Sequence, residues 1–304
     1  MAAGERIPYD EFSLFHENAE EFGLPWNGPP VVRREEVDLG DGRSLSALVW
    51  GEAPPELVFL HGGAQNAHTW DTVALALDRP LVAIDLPGHG HSGPARTTST
   101  DPRANAVDVA VAIRALAPEA RAVIGMSLGG LTTLALIDHA PELVRAAVLV
   151  DVTPGVNAQK AKAISDFVNG PETFPDFDAL LARTIEHNPT RTVSSLRRGI
   201  LHNAVQLEDG TWRWRYVRLT DRARGGGEGP DFSDLWEVVP KIKVPLMLAR
   251  GMRPQSVVDD EDEAELLRRL PSARVEHVEE AGHSLQGDTP VALARLIEDF
   301  VFGS

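Results

Sequence analysis

A serine lies between two glycines at residues 125–129, in the pattern G-x-S-x-G. An apolar run, residues 122–124, precedes Ser127, and a stretch with the spacing of a buried helix, residues 128–137, follows it. Glycines allow the sharp strand-to-helix turn that lifts a serine Oγ into solvent at the start of a helix. The pattern alone also fits a plain tight turn, but its flanking segments favour a nucleophile.

A serine hydroxyl is a poor nucleophile unless a base accepts its proton. Among the ten histidines, His283 follows a short apolar segment, residues 275–278, and precedes the last helical segment, residues 290–302. In a parallel sheet this loop opens at the same edge as the loop that carries the serine. We therefore predict that His283 is the general base, the alternative being a surface or packing histidine.

A developing oxyanion needs preorganised N–H donors. The glycine-rich residues 61–64 follow a buried apolar run and reach the same edge of the predicted sheet. We expect one donor to be the N–H of Leu128, next to the serine, and the other that of Gly63, with Ala64 as the alternative. His61 is interpreted as a residue that organises this loop.

Short apolar runs separated by helical stretches must position these loops. Such alternation predicts a mostly parallel sheet with helices on both faces, because strands buried on both sides are apolar throughout. A D-G turn at residues 41–42 joins two alternating segments and predicts a hairpin before the first of these runs. The apolar runs are residues 57–60, 81–84, 122–124, 146–150 and 244–248, and the helical stretches are residues 69–77, 102–116 and 128–139.

The alternation breaks between the apolar runs that end at 150 and begin at 244, where prolines, tryptophans and charged residues mix. We therefore predict an N-terminal arm, an α/β core in two parts, and a mainly helical insertion called the cap. The arm is residues 1–30, the core residues 31–155 and 239–304, and the cap residues 156–238.

Composition narrows the function. A formal net charge of −16 disfavours binding to nucleic acids and to anionic membranes. The chain has no cysteine, and it has no histidine pair at i, i+4 with a carboxylate, so we expect neither a metal nor another cofactor. No apolar leader or membrane-length apolar run is present, which predicts a cytoplasmic protein whose oligomeric state, monomer or homodimer, is left open.

Four motifs together resemble the α/β-hydrolase fold family. They are residues 61–63, 85–92, 125–130 and 282–283, in the family's order and spacing. The resemblance implies an eight-stranded sheet with a helical cap inserted after strand six. It also implies that His89 and His91 belong to a structural loop near the site.

The acid of the predicted triad is missing from its usual place in that family, after strand seven. Ser256 stands there, and Asp259 and Asp260 come later, where they are typical of a helix start. Asp151, at the end of strand six, is the alternative that we favour. This arrangement resembles a smaller group of bacterial esterases, which implies that Asp151 is the acid and that Ser256 hydrogen-bonds the Asp–His pair. Asp259 or Asp260 as acid, or no functional acid, are the other hypotheses.

A serine at position 127 disfavours the dehalogenases and epoxide hydrolases of the family, which use an aspartate nucleophile. We expect a carboxylic ester hydrolase that cleaves small-molecule esters or lactones through an acyl-enzyme. The alternatives are hydrolysis of thioesters, activated amides or C–C bonds, cofactor-free perhydrolysis, and a ligand receptor on a hydrolase scaffold.

Apolar side chains near these loops and in the cap are candidates for the substrate pocket, because such pockets are mostly apolar. Trp70 follows the oxyanion loop, and Met126 is next to the serine. Trp212 and Trp214 alternate with arginines in the cap, which favours a strand or extended segment that packs its aromatic face on the core; a position in the substrate pocket is the alternative for this pair.

Overall fold

A mixed sheet forms the centre of the protein, whose computed structural model describes residues 6–97, 101–156, 159–188, 191–216 and 231–303. Within that part of the chain it has eight strands, as predicted. Their bounds are β1 Val32–Asp38, β2 Ser44–Trp50, β3 Leu57–Leu60, β4 Leu81–Ile84, β5 Ala122–Met126, β6 Ala147–Val150, β10 Leu246–Gly251 and β11 Arg274–Val278.

The strand order is β1-β2-β4-β3-β5-β6-β10-β11. The hairpin β1–β2 is antiparallel, β2 pairs antiparallel with β4, and every later pairing is parallel. Strands β3 to β6 are buried along their whole length, as expected of parallel strands covered on both faces. The carboxyl ends of β3, β5, β6 and β10 therefore lie side by side at one edge.

The helices alternate with the strands along the chain. Three of them, α5 to α7, lie in the cap, and α1 lies in the predicted arm. Their bounds are α1 Phe15–Glu21, α2 Asp71–Leu77, α3 Pro102–Leu116, α4 Leu128–His139, α5 Lys162–Val168, α6 Phe177–His187, α7 Val193–Asn203, α8 Asp260–Arg269, α9 Leu285–Asp288 and α10 Pro290–Phe302.

Two apolar layers cover the sheet, one on each face. Helices α3, α4 and α8 pack on one face, against residues such as Val58 and Leu60. Helices α1, α2 and α10 pack on the other, against Leu57 and Phe59. Successive strand residues point to opposite faces, so one short apolar strand contributes to both layers.

The cap has its own apolar cluster and a small sheet, of which the sequence predicted only an extended segment around Trp212 and Trp214. Strands β7 Thr173–Phe174, β8 Ala204–Gln206 and β9 Trp212–Trp214 form this antiparallel sheet in the order β7-β9-β8. Leu180 and Ile200 of the cap helices pack against it. The cap is thus a mixed helical and β-sheet segment.

The arm joins the core to the cap. Phe15 of α1 is buried against Trp50 of β2, with ring centroids 4.9 Å apart. Glu17 and Glu21 of the same helix form ion pairs with Arg198 of α7. Through these contacts the arm stabilises one side of the cap.

In the part of the chain that the structure describes, no helix has the length and apolarity needed to cross a bilayer.

Candidate active site

Ser127 occupies a strained turn between β5 and α4. Its backbone has φ 50° and ψ −117°, a conformation that non-glycine residues rarely adopt. The flanking glycines make the turn sterically feasible. A Cβ on Gly125 would lie 2.3 Å from the carbonyl oxygen of Gly129, and one on Gly129 would lie 2.2 Å from that of Leu60. Strain of this kind is concentrated at functional sites.

Asp151 lies beside Ser127 at the same edge of the sheet. Met126 is the last residue of β5 and Val150 is the last residue of β6, and the two are paired in register. The residues that follow them, Ser127 and Asp151, are therefore neighbours. The N–H of Ser127 also donates to the Val150 carbonyl at 3.3 Å. Asp151 itself has φ 46°, which aspartate tolerates better than most residues.

Four donors converge on the buried carboxylate of Asp151. Its Oδ1 accepts from Ser256 Oγ at 2.6 Å and from the Gly251 N–H at 2.9 Å. Its Oδ2 accepts from the Val257 N–H at 3.0 Å and from His283 Nδ1 at 2.9 Å. A carboxylate with every position filled is fixed in one orientation, and so is the imidazole that it holds.

Ser256 links this carboxylate to the loop after β10. Its hydroxyl donates to Asp151 Oδ1 and accepts from the Val258 N–H at 3.1 Å. The structure therefore brings together Ser256, Asp151 and His283, three residues singled out in the sequence. The backbone N–H groups of Gly251 and Val257 were not predicted, because a backbone donor carries no side-chain signal in a sequence.

The alternative acids are engaged elsewhere. Asp259 caps α8, where it accepts from the N–H of Asp262 at 2.9 Å, and it forms an ion pair of 2.7 Å with Lys160. Asp260 pairs with Arg250 at 2.7 Å and has a side chain that is 95% exposed. Neither carboxylate contacts His283 in this structure.

His283 lies in the loop between β11 and α9. A close approach of the backbone holds this loop against β10, since a Cβ on Gly251 would lie 2.2 Å from the Gly282 carbonyl oxygen. The side chain of His283 is 10% exposed, and its Nδ1 donates to Asp151. Its Nε2 and Ser127 Oγ, both on described residues, are not hydrogen-bonded to each other, a contact that is often long in unliganded enzymes.

The glycine-rich loop after β3 lies against the serine. A Cβ on Gly62 would lie 2.5 Å from Met126 Sδ and 3.3 Å from Ser127 Cβ. The N–H groups of Gly63 and Leu128 donate to no group of the described residues. Both amides are thus available to a ligand oxygen beside the serine.

Two buried histidines shape this loop from behind. His61 accepts from the Leu86 N–H through Nε2 at 2.9 Å, and its Nδ1 donates to the Gly62 carbonyl at 2.7 Å. His89 packs edge-on against His61, with centroids 5.1 Å apart. Burial lowers the pKa of His61, and it lowers the pKa of His89 to about 3. Both imidazoles are therefore neutral and support the loop by packing and hydrogen bonding.

A cavity of about 200 Å³ lies between the oxyanion loop, the arm and the cap. Of the four predicted pocket residues, Trp214 lines it, whereas Trp70, Met126 and Trp212 do not. Trp70 is fully buried in the core against Phe59, with centroids 4.9 Å apart, so its predicted pocket position is corrected to a packing position. Met126 fills the space beside Gly62, and Trp212 packs within the cap.

One group of side chains within the described residues has the composition of a metal site. His68, Asp71 and His202 are buried and have ligand atoms within 4.8 Å of one another. The two imidazoles, however, stack with centroids 3.8 Å apart and planes inclined by only 14°. A metal binds in the plane of an imidazole, so one ion does not fit both rings as they are arranged.

The comparisons with known proteins define the class. A model of the alpha/beta hydrolase family matches residues 57–296. The sheet order, the strained serine turn and this match agree, and the chain belongs to the α/β hydrolase family. The predicted fold class is confirmed.

Particular relatives narrow that class. The chain is 44% identical to Esterase Rv0045c of Mycobacterium tuberculosis over 98% of this chain and 97% of that protein. A crystal structure of that esterase matches with a TM-score of 0.82 and covers 97% of this chain and 98% of its own. The chain is 29% identical to the sn-1-specific diacylglycerol lipase ABHD11 of Xenopus laevis, over 87% and 82% of the two lengths. The predicted enzyme class, a carboxylic ester hydrolase, is likewise confirmed.

Proposed function

We propose that this esterase works by acyl transfer through a covalent acyl-enzyme, with Ser127 as nucleophile, His283 as base and Asp151 as acid. The observation that carries the proposal is the 2.9 Å contact from His283 Nδ1 to Asp151 Oδ2, on the strand next to the one that ends at Ser127. A base oriented by a buried carboxylate beside a strained serine is the arrangement that activates a hydroxyl.

The reaction begins when Ser127 Oγ attacks the ester carbonyl carbon and its proton passes to His283 Nε2. The carbonyl oxygen becomes an oxyanion, which the N–H groups of Gly63 and Leu128 stabilise. Asp151 stabilises the imidazolium without taking the proton. Collapse of the intermediate breaks the C–O bond, and His283 protonates the leaving alcohol. A water molecule, deprotonated by His283, then attacks the acyl carbon, the bond from that carbon to Ser127 Oγ breaks, and His283 returns the proton to Ser127 Oγ as the acid leaves.

Ser256 acts in this proposal as a positioning residue. Its hydroxyl donates to Asp151 Oδ1, the oxygen that does not contact His283. It therefore keeps the carboxylate from rotating away from the imidazole. An aspartate at this position would bring a second negative charge against the Asp151 carboxylate, so serine suits an acid that comes from β6.

The substrates that fit the proposal are small-molecule carboxylic esters or lactones. The name of the diacylglycerol lipase relative describes a lipid ester substrate of that protein. The cytoplasmic location and the division into arm, core and cap stay predictions. Thioesters and C–C bonds are alternatives that a substrate panel separates, since each reports on a different leaving group.

The experiment measures hydrolysis of p-nitrophenyl acetate and butyrate by the wild type and by Ser127→Ala. We expect the variant to lose about 10⁶-fold in kcat, as nucleophile removal does in serine hydrolases. Ser233→Ala, an exposed serine far along the chain, is the matched control and keeps wild-type turnover. A fluorophosphonate probe identifies the labelled residue by mass spectrometry. Turnover that survives Ser127→Ala, together with labelling at another residue, overturns the proposal.

A further inference from the structure

Arg191 brings a positive charge to the cavity beside the active site. Its side chain lines that cavity at the start of α7, one residue before Thr192, the N-cap of the helix. The guanidinium Nη2 donates to Ser195 Oγ at 2.5 Å. No carboxylate of the described residues lies within ion-pair distance of it. Burial lowers the pKa of Arg191, while the carboxylates of Asp288 and Glu21, beyond ion-pair distance, act in the opposite direction.

A neighbouring arginine, within α7, shows a buried guanidinium whose charge is compensated. Arg198 also lines the cavity, but it is paired with Glu17 and Glu21 and donates to Asn18 Oδ1 at 2.9 Å. A buried cation is normally paired in this way, because an isolated one loses its hydration without a return. Arg191 is half-buried and has no ion pair among the described residues, so it is free to pair with an anion that is not part of the chain.

The cavity wall connects Arg191 to the catalytic loops. A Cβ on Gly287 would lie 1.9 Å from Arg191 Nη1, so the guanidinium lies against α9, the short helix that follows the loop carrying His283. Next to it, Gln286 Nε2 contacts Thr69 Oγ1 at 3.3 Å. Gln65, also in the wall, accepts from the Gly62 N–H at 3.1 Å, and Gly62 lies against Ser127.

We propose that Arg191 is a specificity-determining residue that binds a carboxylate at the end of the substrate remote from the scissile ester. The inference rests on the proposed function, because it assigns a substrate class to that same site. A guanidinium presents two parallel N–H donors that match a carboxylate.

The polarity of the cavity agrees with a charged ligand. Gln286 is buried, and its Oε1 has no hydrogen-bond partner among the described residues. Asn66 and Asn203 contribute further amide groups to the wall. A plain alkyl chain in this space would leave the Arg191 guanidinium without an anion and Gln286 Oε1 without a donor, which costs free energy.

The overall charge makes a local cation necessary for such a substrate. With a formal net charge of −16, the protein as a whole repels anions. A substrate with a free carboxylate then gains affinity only where a fixed positive group faces it at short range. We therefore place its recognition at Arg191 and not in the general field of the protein.

The experiment compares half-esters of dicarboxylic acids with neutral esters of the same chain length. Monomethyl succinate, glutarate and adipate are matched with methyl butyrate, pentanoate and hexanoate, and released methanol is measured. For at least one length, the wild type should favour the half-ester by about 10- to 100-fold in kcat/KM, mainly through KM. Arg191→Gln should abolish that ratio and Arg191→Lys should restore part of it. Arg197→Gln, on the exposed side of α7, should keep it.

Two results overturn the inference while the proposed function stands. One is hydrolysis of the neutral esters with no preference for a half-ester at any length. The other is an Arg191→Gln variant, folded by circular dichroism, that keeps the wild-type ratio. If Arg191→Gln does not fold, competition by free glutarate and adipate against p-nitrophenyl butyrate in the wild type decides, and absence of competition overturns the inference. Failure of the proposed function would appear separately, as esterase activity that survives Ser127→Ala.

Discussion

Two buried histidine–aspartate pairs in this protein have the same contact distance and different surroundings. His283 Nδ1 lies 2.9 Å from Asp151 Oδ2, and His68 Nδ1 lies 2.9 Å from Asp71 Oδ2. All four side chains are buried. The pair distance therefore does not distinguish a catalytic dyad from a structural one, and the neighbours of each pair have to decide.

The carboxylates differ first. Asp151 receives four hydrogen bonds and has no free acceptor position, whereas Asp71 Oδ1 is buried without a partner in the described part of the chain. The imidazoles differ as well. His68 Nε2 lies 3.3 Å from Glu11 Oε2, and the ring stacks on His202. The second nitrogen of His68 thus contacts Glu11 of the arm, and Ser127, the serine with a positive φ in the described part of the chain, is not its neighbour.

The charge of His68 follows from its surroundings. Burial lowers the pKa of His68, but the carboxylates of Asp71 and Glu11 outweigh burial and raise it to about 9. An imidazole that stays protonated at neutral pH cannot accept a proton from a hydroxyl. The comparison teaches that a base needs one carboxylate and a free nitrogen, whereas a structural cation uses both nitrogens.

The largest expected effect comes from removing each imidazole in turn. His283→Gln should lower kcat for p-nitrophenyl butyrate by about 10⁶-fold, since the nucleophile loses its base. His68→Gln should stay within about tenfold of the wild type, because its pair takes no part in proton transfer. Steady-state kinetics on folded variants measures both. Equal losses in the two variants would remove the distinction between the pairs.

The second expected effect concerns pH and stability. Because the pKa of His68 is raised from 6.5 to about 9 on folding, its contribution is complete below pH 6.5 and is lost as pH rises through 9. The free energy of unfolding of the wild type, relative to His68→Gln, should fall by up to about 3 kcal/mol between pH 6 and 9.5. Urea titrations at both pH values give this difference. A difference that does not change with pH would contradict a charged His68.

A smaller effect is expected at Ser256. Ser256→Ala removes one of the four donors to Asp151 and should lower kcat by about tenfold, the equivalent of one hydrogen bond. Because two backbone N–H groups still hold the carboxylate, the loss should remain far below that of His283→Gln. The kcat of Ser256→Ala, with Ser233→Ala as control, measures it. A variant as inactive as His283→Gln would make Ser256 more than a positioning residue.

The smallest effect is expected at Asp259. Asp259→Ala removes the N-cap of α8 and should cost about 1 kcal/mol of stability. It should leave kcat unchanged, because Asp259 contacts Lys160 and Asp262 and not His283. Thermal unfolding and p-nitrophenyl butyrate kinetics test the two halves. A large loss of kcat would make Asp259 the acid.

The positions of Ser127, His283 and Asp151 were accessible from the sequence because each follows an apolar strand in a parallel sheet. Parallel strands place their carboxyl ends at one edge, so strand order along the chain is enough to bring such loops together. Ser256 was accessible through the resemblance to esterases. The same reasoning gave the helices over 102–116 and 128–139, whose bounds are confirmed.

The pair His68–Asp71 and the cation Arg191 were not accessible in the same way. Their environment depends on contacts of the arm and the cap with the core, such as Glu11 with His68 and Gly287 with Arg191. Neither the arm nor the cap has the regular alternation of apolar strands and helices from which the position of a segment in the fold can be predicted. Trp70 was predicted to line the pocket and lies in the core instead. In a sequence, an aromatic residue after a catalytic loop is equally compatible with a pocket and with a core position.

The most direct test of the central claim is the kcat of Asp151→Asn against that of Asp71→Asn, two like substitutions in two buried pairs with equal contact distances. Asparagine keeps the shape of each side chain and removes its charge. We expect Asp151→Asn to lose about 10⁴-fold in kcat with the wrong tautomer on His283, and Asp71→Asn to lose less than about tenfold. An Asp151→Asn variant close to wild type, or equal losses in the two variants, would contradict Asp151 as the acid.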